Sequence, residues 1–285
     1  MKTDRFQLEI IPIKNILVHE ESDSTRSHDL ITRLKKTGLF TDPIIVASLG
    51  EDKYLQLDGM NRINCFKKLG IENILCQIVD YSNQEEVELS SWIHLFKAKR
   101  EDFFKYIKKN KELIIKRADI EQIGPRQLKE KDFGRLVTIV DKKDGSYLVS
   151  TAGQFTDKIA RLNYIVDFYK ENITRSILPF NMTSRNIRLF FYEHPHLNFY
   201  DNPSTNIMVV FPNLTPQQII EVVQSGKVIP AGISRHLVKG RCLNINLPMA
   251  FFDNKKSAIE LNWLLDKYLR SKNVRFYEEP TIHFE

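Results

Sequence analysis

The sequence predicts a two-domain α+β protein, and three observations lead to this prediction. A chain of 285 residues with 42% hydrophobic content can form two cores at the usual size of about 100 to 200 residues per domain. The first third alternates short apolar runs, typical of strands, with segments whose apolar residues recur at helical spacing. A second mixture of this kind begins near Leu136. We therefore expect an N-terminal domain with a small mixed sheet at 1–98, a helical connector at 99–135 and a C-terminal α/β domain at 136–285.

The elements of the first domain follow from their local patterns. Short apolar runs predict strands at 8–13, 43–47, 54–57 and 74–79. Apolar residues at helical spacing predict helices at 27–36, 60–69 and 83–96, and the first two of these are followed by Gly38 and Gly70, which suit a helix C-terminus. Four strands with helices between them are typical of a small mixed sheet.

The second half is interpreted in the same way. Strands are predicted at 136–140, 147–149, 207–211, 243–247 and 274–277, and helices at 155–169, 215–224 and 254–269. The helix at 215–224 has a proline in its first turn and Gly226 after its end, which is the usual placement of these two residues. The connector at 99–135 is charged and helical in pattern.

Composition narrows the class of protein. No apolar run approaches the roughly 20 residues that cross a bilayer, and the N-terminus lacks the features of a signal peptide. We therefore expect a cytoplasmic protein with no membrane partner. The cysteines are odd in number and unrelated in spacing, which favours neither a disulfide framework nor a zinc site: Cys65, Cys76 and Cys242.

The net charge of +6 is unevenly distributed. Acidic side chains outnumber basic ones in the first 98 residues, so the positive excess lies in the remainder, with a cluster of lysines and arginines between Lys97 and Lys131. A solvated helix face is the simplest interpretation of that cluster. A strip that contacts DNA or a membrane surface is the alternative.

The segment from Leu57 to Arg62 indicates an anion-binding site. An apolar strand pattern stops at Asp58-Gly59, and a helical pattern with polar residues in its first turn starts at once. The free amides and positive dipole end of such a helix favour an anion, and Gly59 lets the backbone approach it closely. An ordinary Asp-Gly turn would show the same residues, so the motif alone leaves both interpretations open.

Several segments together resemble one family. The N-terminal ones are Ile11-Pro12-Ile13, Val18-His19-Glu20-Glu21, Thr41-Asp42-Pro43-Ile44-Ile45-Val46, Leu57-Asp58-Gly59-Met60-Asn61-Arg62 and Lys68-Leu69-Gly70. Three later segments extend the similarity over most of the chain: Trp92-Ile93-His94, Pro230-Ala231-Gly232-Ile233-Ser234-Arg235 and Gly240-Arg241-Cys242-Leu243-Asn244. The chain is similar to the free serine kinases of the ParB/sulfiredoxin-like superfamily. Sulfiredoxin chemistry is disfavoured, because no cysteine lies between Asp58 and Arg62.

The resemblance implies a kinase that phosphorylates the hydroxyl of free L-serine, with serine bound in a cleft between the domains. It implies ATP or ADP as phosphoryl donor, ATP being the one we expect, and Mg²⁺ bound by Asp58. Nucleotide contacts are implied for the residues of the two central motifs: Pro43, Ile44, Asp58, Gly59, Met60, Asn61 and Arg62. Relatives usually carry histidine where this chain has Asn61, which donates a hydrogen bond but carries no proton.

The resemblance also implies roles for residues outside those motifs. Glu20 matches the catalytic glutamate, and a carboxylate suits the task because the serine hydroxyl is too weak an acid to ionise unaided. Asp58 is the second catalytic carboxylate. The remaining matches are expected to bind the amino acid, with an arginine for its carboxylate: Trp92, Ser234, Arg235, His236 and Asn244. Each of three roles has a structural alternative: Glu20 could lie in a solvated acidic loop, Asp58 in an ordinary turn, and Trp92 in the hydrophobic core.

The pathway and partners follow from the resemblance alone. The implied pathway is the biosynthesis of a siderophore or another diaminopropionate-type product. The implied partner is a downstream synthase that uses phosphoserine. Three other functions stay open: a nucleotide-dependent DNA-binding regulator of ParB type, a kinase for threonine or a serine analogue, and nucleotide binding without turnover. A pocket distinguishes two substrates that differ by one methyl group by only about 1 to 3 kcal/mol, so threonine is not excluded as the substrate.

Overall fold

The computed structural model describes residues 1–22, 24–118, 134–177 and 205–277. The chain divides into two compact units, the first made of Met1–Glu88 with His236–Glu285 and the second of Leu89–Arg235. These units differ from the consecutive domains expected from the sequence. The described residues after Arg235 group with the first unit, whereas the sequence assigns them to a C-terminal domain.

A five-stranded mixed sheet forms the centre of the first unit. Its strands are β1 (Gln7–Pro12), β2 (Ile16–Leu17), β4 (Ile44–Gly50), β5 (Lys53–Asp58) and β6 (Asn73–Val79), and their order across the sheet is β1-β6-β4-β5-β2. The pairs β4–β6 and β2–β5 are parallel, whereas β1–β6 and β4–β5 are antiparallel. The small mixed sheet predicted for the N-terminal region is confirmed.

Three helices accompany this sheet: α1 (Ser24–Thr37), α2 (Met60–Lys68) and α6 (Ala258–Arg270). Two short strands, β3 (Leu39–Phe40) and β14 (Leu247–Pro248), pair with each other. The aromatic rings of Phe40, Phe66 and Phe252 pack edge to face at 4.8 to 5.6 Å. Such packing of residues far apart in sequence places the C-terminal segment on the N-terminal core.

Helix α6 shows why the C-terminal segment belongs to the first unit. Leu261, Leu265 and Leu269 lie on its apolar face and are buried in the same core as β1. The side chain of Asn262 accepts from the backbone N–H of Ile10 at 2.8 Å and donates to the Ile10 carbonyl at 2.9 Å. These contacts bury apolar area that the N-terminal residues would otherwise expose.

The second unit is built on a larger sheet. Its strands are β7 (Val87–Phe96), β8 (Ile114–Ala118), β9 (Gly134–Asp141), β10 (Gly145–Thr151), β11 (Thr174–Ile177), β12 (Ile207–Val210) and β13 (Ser234–Val238). They follow the order β11-β7-β12-β9-β10-β8, with β13 also paired to β7. The helices are α3 (Arg100–Lys109), α4 (Phe155–Asp167) and α5 (Pro216–Gln224). The α+β fold class is confirmed.

The predicted helix at 83–96 is wrong, because most of it is strand β7. The strand pairs with both β11 and β12, so it lies inside the sheet and is buried along most of its length. A strand buried on both faces has a nearly continuous apolar run, which helical spacing also fits. Its Val87, Ile93 and aromatic residues favour a strand, and that preference was the signal that could have decided the assignment.

Two further strand predictions are wrong. Most of 243–247 is irregular, and Asn244 and Asn246 adopt left-handed backbone conformations with φ of 56° and 52°. Residues 274–277 form no strand, and Val274 is 68% exposed. In the connector, the helix prediction is confirmed for α3 and wrong for β8, and residues 119–133 lie outside the described residues. Within the described ranges, no helix is long and apolar enough to cross a bilayer.

Candidate functional site

The junction between β5 and α2 has the geometry that the sequence predicts. Strand β5 ends at Asp58, Gly59 is the N-cap with φ of 101°, and α2 starts at Met60, so the N-cap has no side chain to cap the first amides. A Cβ atom at position 59 would lie 2.6 Å from Cγ2 of Ile44. Glycine is required here both for its backbone conformation and for its lack of a side chain. The junction therefore presents uncapped amides at the start of a helix.

Arg62 fastens this junction to the preceding loop. Its Nη1 donates to the carbonyls of Asp42 and Pro43 at 3.0 and 2.7 Å, and its Nη2 donates to Oδ2 of Asp58 at 2.9 Å. The side chain is only 18% exposed. Both terminal nitrogens of this guanidinium are therefore engaged by protein acceptors, although the sequence predicts that Arg62 contacts phosphate.

Asp58 lies between two arginines. Oδ2 accepts from Arg62 and also from Nη2 of Arg241, which lies in the irregular segment that follows β13. Burial alone would raise the pKa of the Asp58 carboxyl, but the two guanidiniums hold this pKa below its ordinary value. Asp58 is therefore ionised at neutral pH. The sequence places Arg241 in a segment that carries the resemblance but leaves its role open.

Arg62 and Arg241 line a cleft of about 380 Å³ in the first unit. Its charged walls include Arg33, Asp42, Arg62 and Arg241, and its apolar walls include Phe40 and Leu243. Pro43 and Arg62 are the predicted nucleotide-binding residues that line it. A concave site lined by apolar side chains and by three arginines against two aspartates, Asp29 and Asp42, suits an anionic ligand with an apolar part.

The other predicted nucleotide-binding residues lie around the junction. Ile44 is fully buried, so its side chain is not available to a ligand and instead packs against Gly59. Asn61 is half-buried in the first turn of α2, and its Oδ1 accepts from Oγ of Ser27 at 3.4 Å. Met60 is half-buried at the helix start.

Glu20 follows strand β2 in the chain, and Asp58 is the last residue of the neighbouring strand β5. In the parallel pair of β2 and β5, Ile16 lies opposite Tyr54 and Leu17 opposite Leu55. The pairing ends at Leu17, three residues before Glu20. The buried His19 keeps the segment in place, since its Nδ1–H donates to the Gln56 carbonyl at 2.7 Å.

A buried polar cluster is made of His19, Gln56, Tyr81 and His236, and Asp58 lies close enough to influence the charge of His236. Oη of Tyr81 lies 2.8 Å from Nε2 of His236, and the rings of His19 and His236 pack edge to face at 5.3 Å. Burial lowers the pKa of His236 to about 3, and His19 adds to the effect while Asp58 opposes it. The sequence predicts that His236 binds substrate, but its ring is only 8% exposed and its Nε2 is engaged by Tyr81.

The predicted substrate-binding residues Trp92, Ser234 and Arg235 belong to the second unit. The guanidinium of Arg235 lies over the ring of Trp92, 5.1 Å from its centroid. The backbone N–H of Trp92 donates to the carbonyl of Ile233 at 2.9 Å, which holds the two strands together here. Ser234 is buried beside Arg235. Trp92 and Arg235 are therefore in contact, on strands rather than on a helix, and their binding of substrate stays a prediction.

His94 orients the turn that leads into Arg235. Its Nε2 lies 2.8 Å from the Gly232 carbonyl, and because a carbonyl only accepts, this nitrogen carries the proton. Nδ1 is then the acceptor for the hydroxyl of Tyr169 at 3.2 Å. His94 is fully buried, so it shapes the turn without reaching a ligand itself.

Asn244 belongs to the first unit, whereas Trp92, Ser234 and Arg235 belong to the second. It is exposed, its backbone N–H donates to Oδ1 of Asp42 at 2.8 Å, and its carbonyl accepts from Asn246. These are the contacts of a loop residue in a left-handed conformation. The prediction that Asn244 binds substrate stays a prediction.

Comparisons with known proteins relate the chain to one class of enzyme. No protein-family profile matches it. Among solved structures, a C-terminally truncated SbnI from Staphylococcus aureus superposes with a TM-score of 0.64 at 17% identity, covering 92% of this chain and 95% of that one. A free serine kinase in complex with AMP superposes with a TM-score of 0.63 at 18% identity, covering 88% and 95%. The chain therefore has the fold of free serine kinases.

The sequence relatives are more specific. The ATP-dependent L-serine kinase SbnI of Staphylococcus aureus is 22% identical over 282 residues, which are 98% of this chain and 97% of that protein. An ATP-dependent L-serine kinase of Staphylothermus marinus is 37% identical over 29% of this chain and 33% of its own length. The ADP-dependent L-serine kinase SerK of Thermococcus kodakarensis is 26% identical over 44% of this chain and 51% of its own. The chain resembles the free L-serine kinases, in one case from end to end.

Proposed function

We propose that this protein transfers the terminal phosphoryl group of a nucleotide to the hydroxyl of free L-serine, giving O-phospho-L-serine. The observation that carries the proposal is the similarity to the staphylococcal ATP-dependent L-serine kinase over 98% of this chain. The uncapped start of α2 behind Gly59, next to a cleft with arginines in its wall, supports nucleotide binding independently of that similarity.

The first unit supplies groups for phosphoryl transfer. The amides at the start of α2 bind phosphate oxygens, and Glu20 takes the proton of the serine hydroxyl as its oxygen attacks phosphorus. A bond forms between the serine oxygen and the terminal phosphorus, and the bond from that phosphorus to the bridging oxygen breaks. The shortened nucleotide leaves with the electron pair. Glu20 follows β2, which runs parallel to β5, and β5 ends at Asp58.

Asp58 is the residue that would hold a magnesium ion. Within the described residues, no group of three His, Cys, Asp or Glu side chains could hold a metal by itself. Mg²⁺ typically takes one or two carboxylates together with substrate phosphates, so a single carboxylate beside the phosphate-binding amides fits an ion carried by the nucleotide. The ion would neutralise phosphate charge during transfer.

The second unit supplies the group expected for the amino-acid carboxylate. The guanidinium of Arg235 matches a carboxylate in geometry, and the ring of Trp92 below it restricts its orientation. His94 and Tyr169 fix the turn that carries Arg235. We assign serine binding to Trp92, Ser234 and Arg235 on these grounds.

We infer ATP as the preferred donor, because the relative matched from end to end is ATP-dependent, whereas the ADP-dependent relative is matched over 44% of this chain. The product would supply an enzyme that displaces phosphate from O-phosphoserine, because phosphorylation converts the serine hydroxyl into a leaving group. A siderophore or another diaminopropionate-type product is the pathway we infer.

Phosphorus NMR tests the reaction directly. Purified protein is incubated with Mg²⁺, L-serine and either ATP or ADP, with L-threonine in parallel samples. A phosphoserine resonance with ATP supports the proposal, and one with ADP alone changes the donor. An equal or larger phosphothreonine signal would overturn the substrate. No phosphorylated product in any sample, with nucleotide binding intact, would contradict the kinase assignment and make a salt-dependent DNA titration the next experiment.

A further inference from the structure

Asp58, Arg62 and Arg241 form a compact cluster of one carboxylate and two guanidiniums. Two guanidiniums donate to the same carboxylate oxygen, Oδ2 of Asp58. Arg241 lowers the pKa of Arg62 by its proximity, in addition to the larger effect of burial, whereas Asp58 and Asp42 raise it. Both arginines line the cleft, where a bound anion would relieve the repulsion between them.

The two arginines differ in how firmly they are held. Arg62 is 18% exposed and donates to two backbone carbonyls as well as to Asp58. Arg241 has a side chain that is 38% exposed, and in the described part of the chain Asp58 is the acceptor that it contacts. Arg62 is thus part of the scaffold. Arg241 is able to exchange its partner without breaking the loop structure.

The backbone on both sides of Arg241 is fixed. The side-chain amide of Gln77, on β6, donates to the carbonyl of Gly240 at 3.0 Å and accepts from the N–H of Cys242 at 2.8 Å. Gln77 is only 3% exposed, so these hydrogen bonds are shielded from water. A long, partly exposed cationic side chain is therefore presented to the cleft from an anchored loop, which reduces the entropy lost when it binds a ligand.

We propose that Arg241 binds the terminal phosphates of the nucleotide and that Asp58 holds it until the nucleotide arrives. This inference rests on the proposed nucleotide site. A polyphosphate carries more negative charge than a carboxylate and offers a guanidinium two acceptors at once, so it displaces Asp58 from Arg241. The displaced carboxylate then becomes available where the proposed mechanism needs it. Nucleotide binding would thereby free the Asp58 carboxylate from Arg241 for its role in phosphoryl transfer.

Equilibrium binding tests this inference without any turnover. Isothermal titration calorimetry in the absence of serine measures ATP and inorganic triphosphate, the latter as a probe with no base or sugar. Arg241→Gln should raise Kd for both about 10-fold or more, as expected for loss of a charge-assisted hydrogen bond. Arg270→Gln is the matched control, because Arg270 is an exposed arginine at the end of α6 and should leave both Kd values unchanged.

A double-mutant cycle tests the holding role of Asp58. Asp58→Asn should lower Kd for triphosphate, because Arg241 is then released. The same change made in the Arg241→Gln background should give little further gain. A gain of equal size in both backgrounds would mean that Asp58 acts by simple charge repulsion, and this would overturn the holding role. Thermal melting of each variant separates these effects from misfolding.

The outcomes distinguish this inference from the proposed function. Unchanged ATP and triphosphate binding by Arg241→Gln would overturn the inference and leave the kinase assignment intact. Triphosphate binding that depends on Arg241, with no phosphoserine formed, would support the inference and contradict the kinase assignment. Failure of the unsubstituted protein to bind either ligand would overturn both.

Discussion

Oη of Tyr81 lies 2.8 Å from Nε2 of His236, although the two residues are 155 positions apart in the chain. The contact joins the residues just after β6 to β13, at the point where the chain re-enters the first unit. His236 also packs against His19, and its environment includes the carboxylate of Asp58. The imidazole is therefore held neutral in a buried cluster next to the candidate site.

The first prediction concerns stability against pH. The pKa of His236 is lowered to about 3 in the folded protein, compared with about 6.5 in the unfolded chain. Between these values the unfolded state binds a proton that the folded state does not, so stability falls as the pH falls below about 6.5. The loss should reach up to roughly 1.4 kcal/mol for each pH unit. Urea midpoints at pH 7, 5.5 and 4 measure it.

The control for this effect is a second histidine. His236→Gln should flatten the pH dependence of the urea midpoint, whereas His28→Asn, at an exposed position on α1, should leave it as in the unsubstituted protein. An unchanged slope in His236→Gln would show that other groups carry the dependence.

The second prediction concerns the glycine at the junction. Gly59→Ala should lower the free energy of unfolding by roughly 2 to 5 kcal/mol, because it adds backbone strain at φ of 101° and a contact of 2.6 Å with Ile44. Gly70→Ala is the control, since Gly70 has a positive φ of 68° but nothing within 4 Å of an added Cβ. It should lose only about 1 to 2 kcal/mol. Chemical denaturation compares the two, and equal losses would contradict the steric argument.

The third prediction concerns Glu20. Glu20→Gln should keep nucleotide affinity and lose phosphoryl transfer by roughly 10²-fold or more, because the amide cannot accept the hydroxyl proton. The neighbouring Glu21→Gln provides the control and should retain most of the activity. Turnover numbers and nucleotide Kd are measured for both. Unchanged turnover in Glu20→Gln would remove this residue from the mechanism.

The fourth prediction concerns Arg235. Arg235→Ala should raise KM for serine by about 10-fold or more while changing KM for the nucleotide much less, since it removes a charge-assisted contact to one substrate. Arg235→Lys keeps the charge but loses the planar fork and should give an intermediate serine KM. Steady-state kinetics with each substrate varied in turn separates the two constants. Equal increases in both would indicate a structural role for Arg235.

Much of the fold was predictable from local patterns. The helix at 215–224 is a clear case, because Thr215, Pro216 and Gln218 carry the cap, the first-turn proline and the capping box that the structure contains. The junction at Asp58-Gly59 was equally predictable, since a strand pattern, a glycine and a helix pattern follow one another directly. Such elements depend on residues that are neighbours in the sequence.

Pairing across long distances was not predictable in the same way. Helical spacing also fits β7, whose strand-favouring residues compete with that spacing, and its position between β11 and β12 makes it a strand. The return of α6 to the core of β1 depends on contacts such as that of Asn262 with Ile10, which are 252 positions apart. No local pattern records which distant surface an amphipathic helix will cover.

The sequence by itself determined the fold class, the strand–glycine–helix junction and the set of residues that resemble a free serine kinase. Only the tertiary structure decided how those residues are used. It assigned Arg62 to the scaffold, buried the side chain of Ile44 against Gly59, enclosed His236 with Tyr81, and placed Arg241 beside Asp58. The physical reason is that residue type sets what a side chain can bind, whereas burial and hydrogen-bond partners from distant segments set what remains available to a ligand.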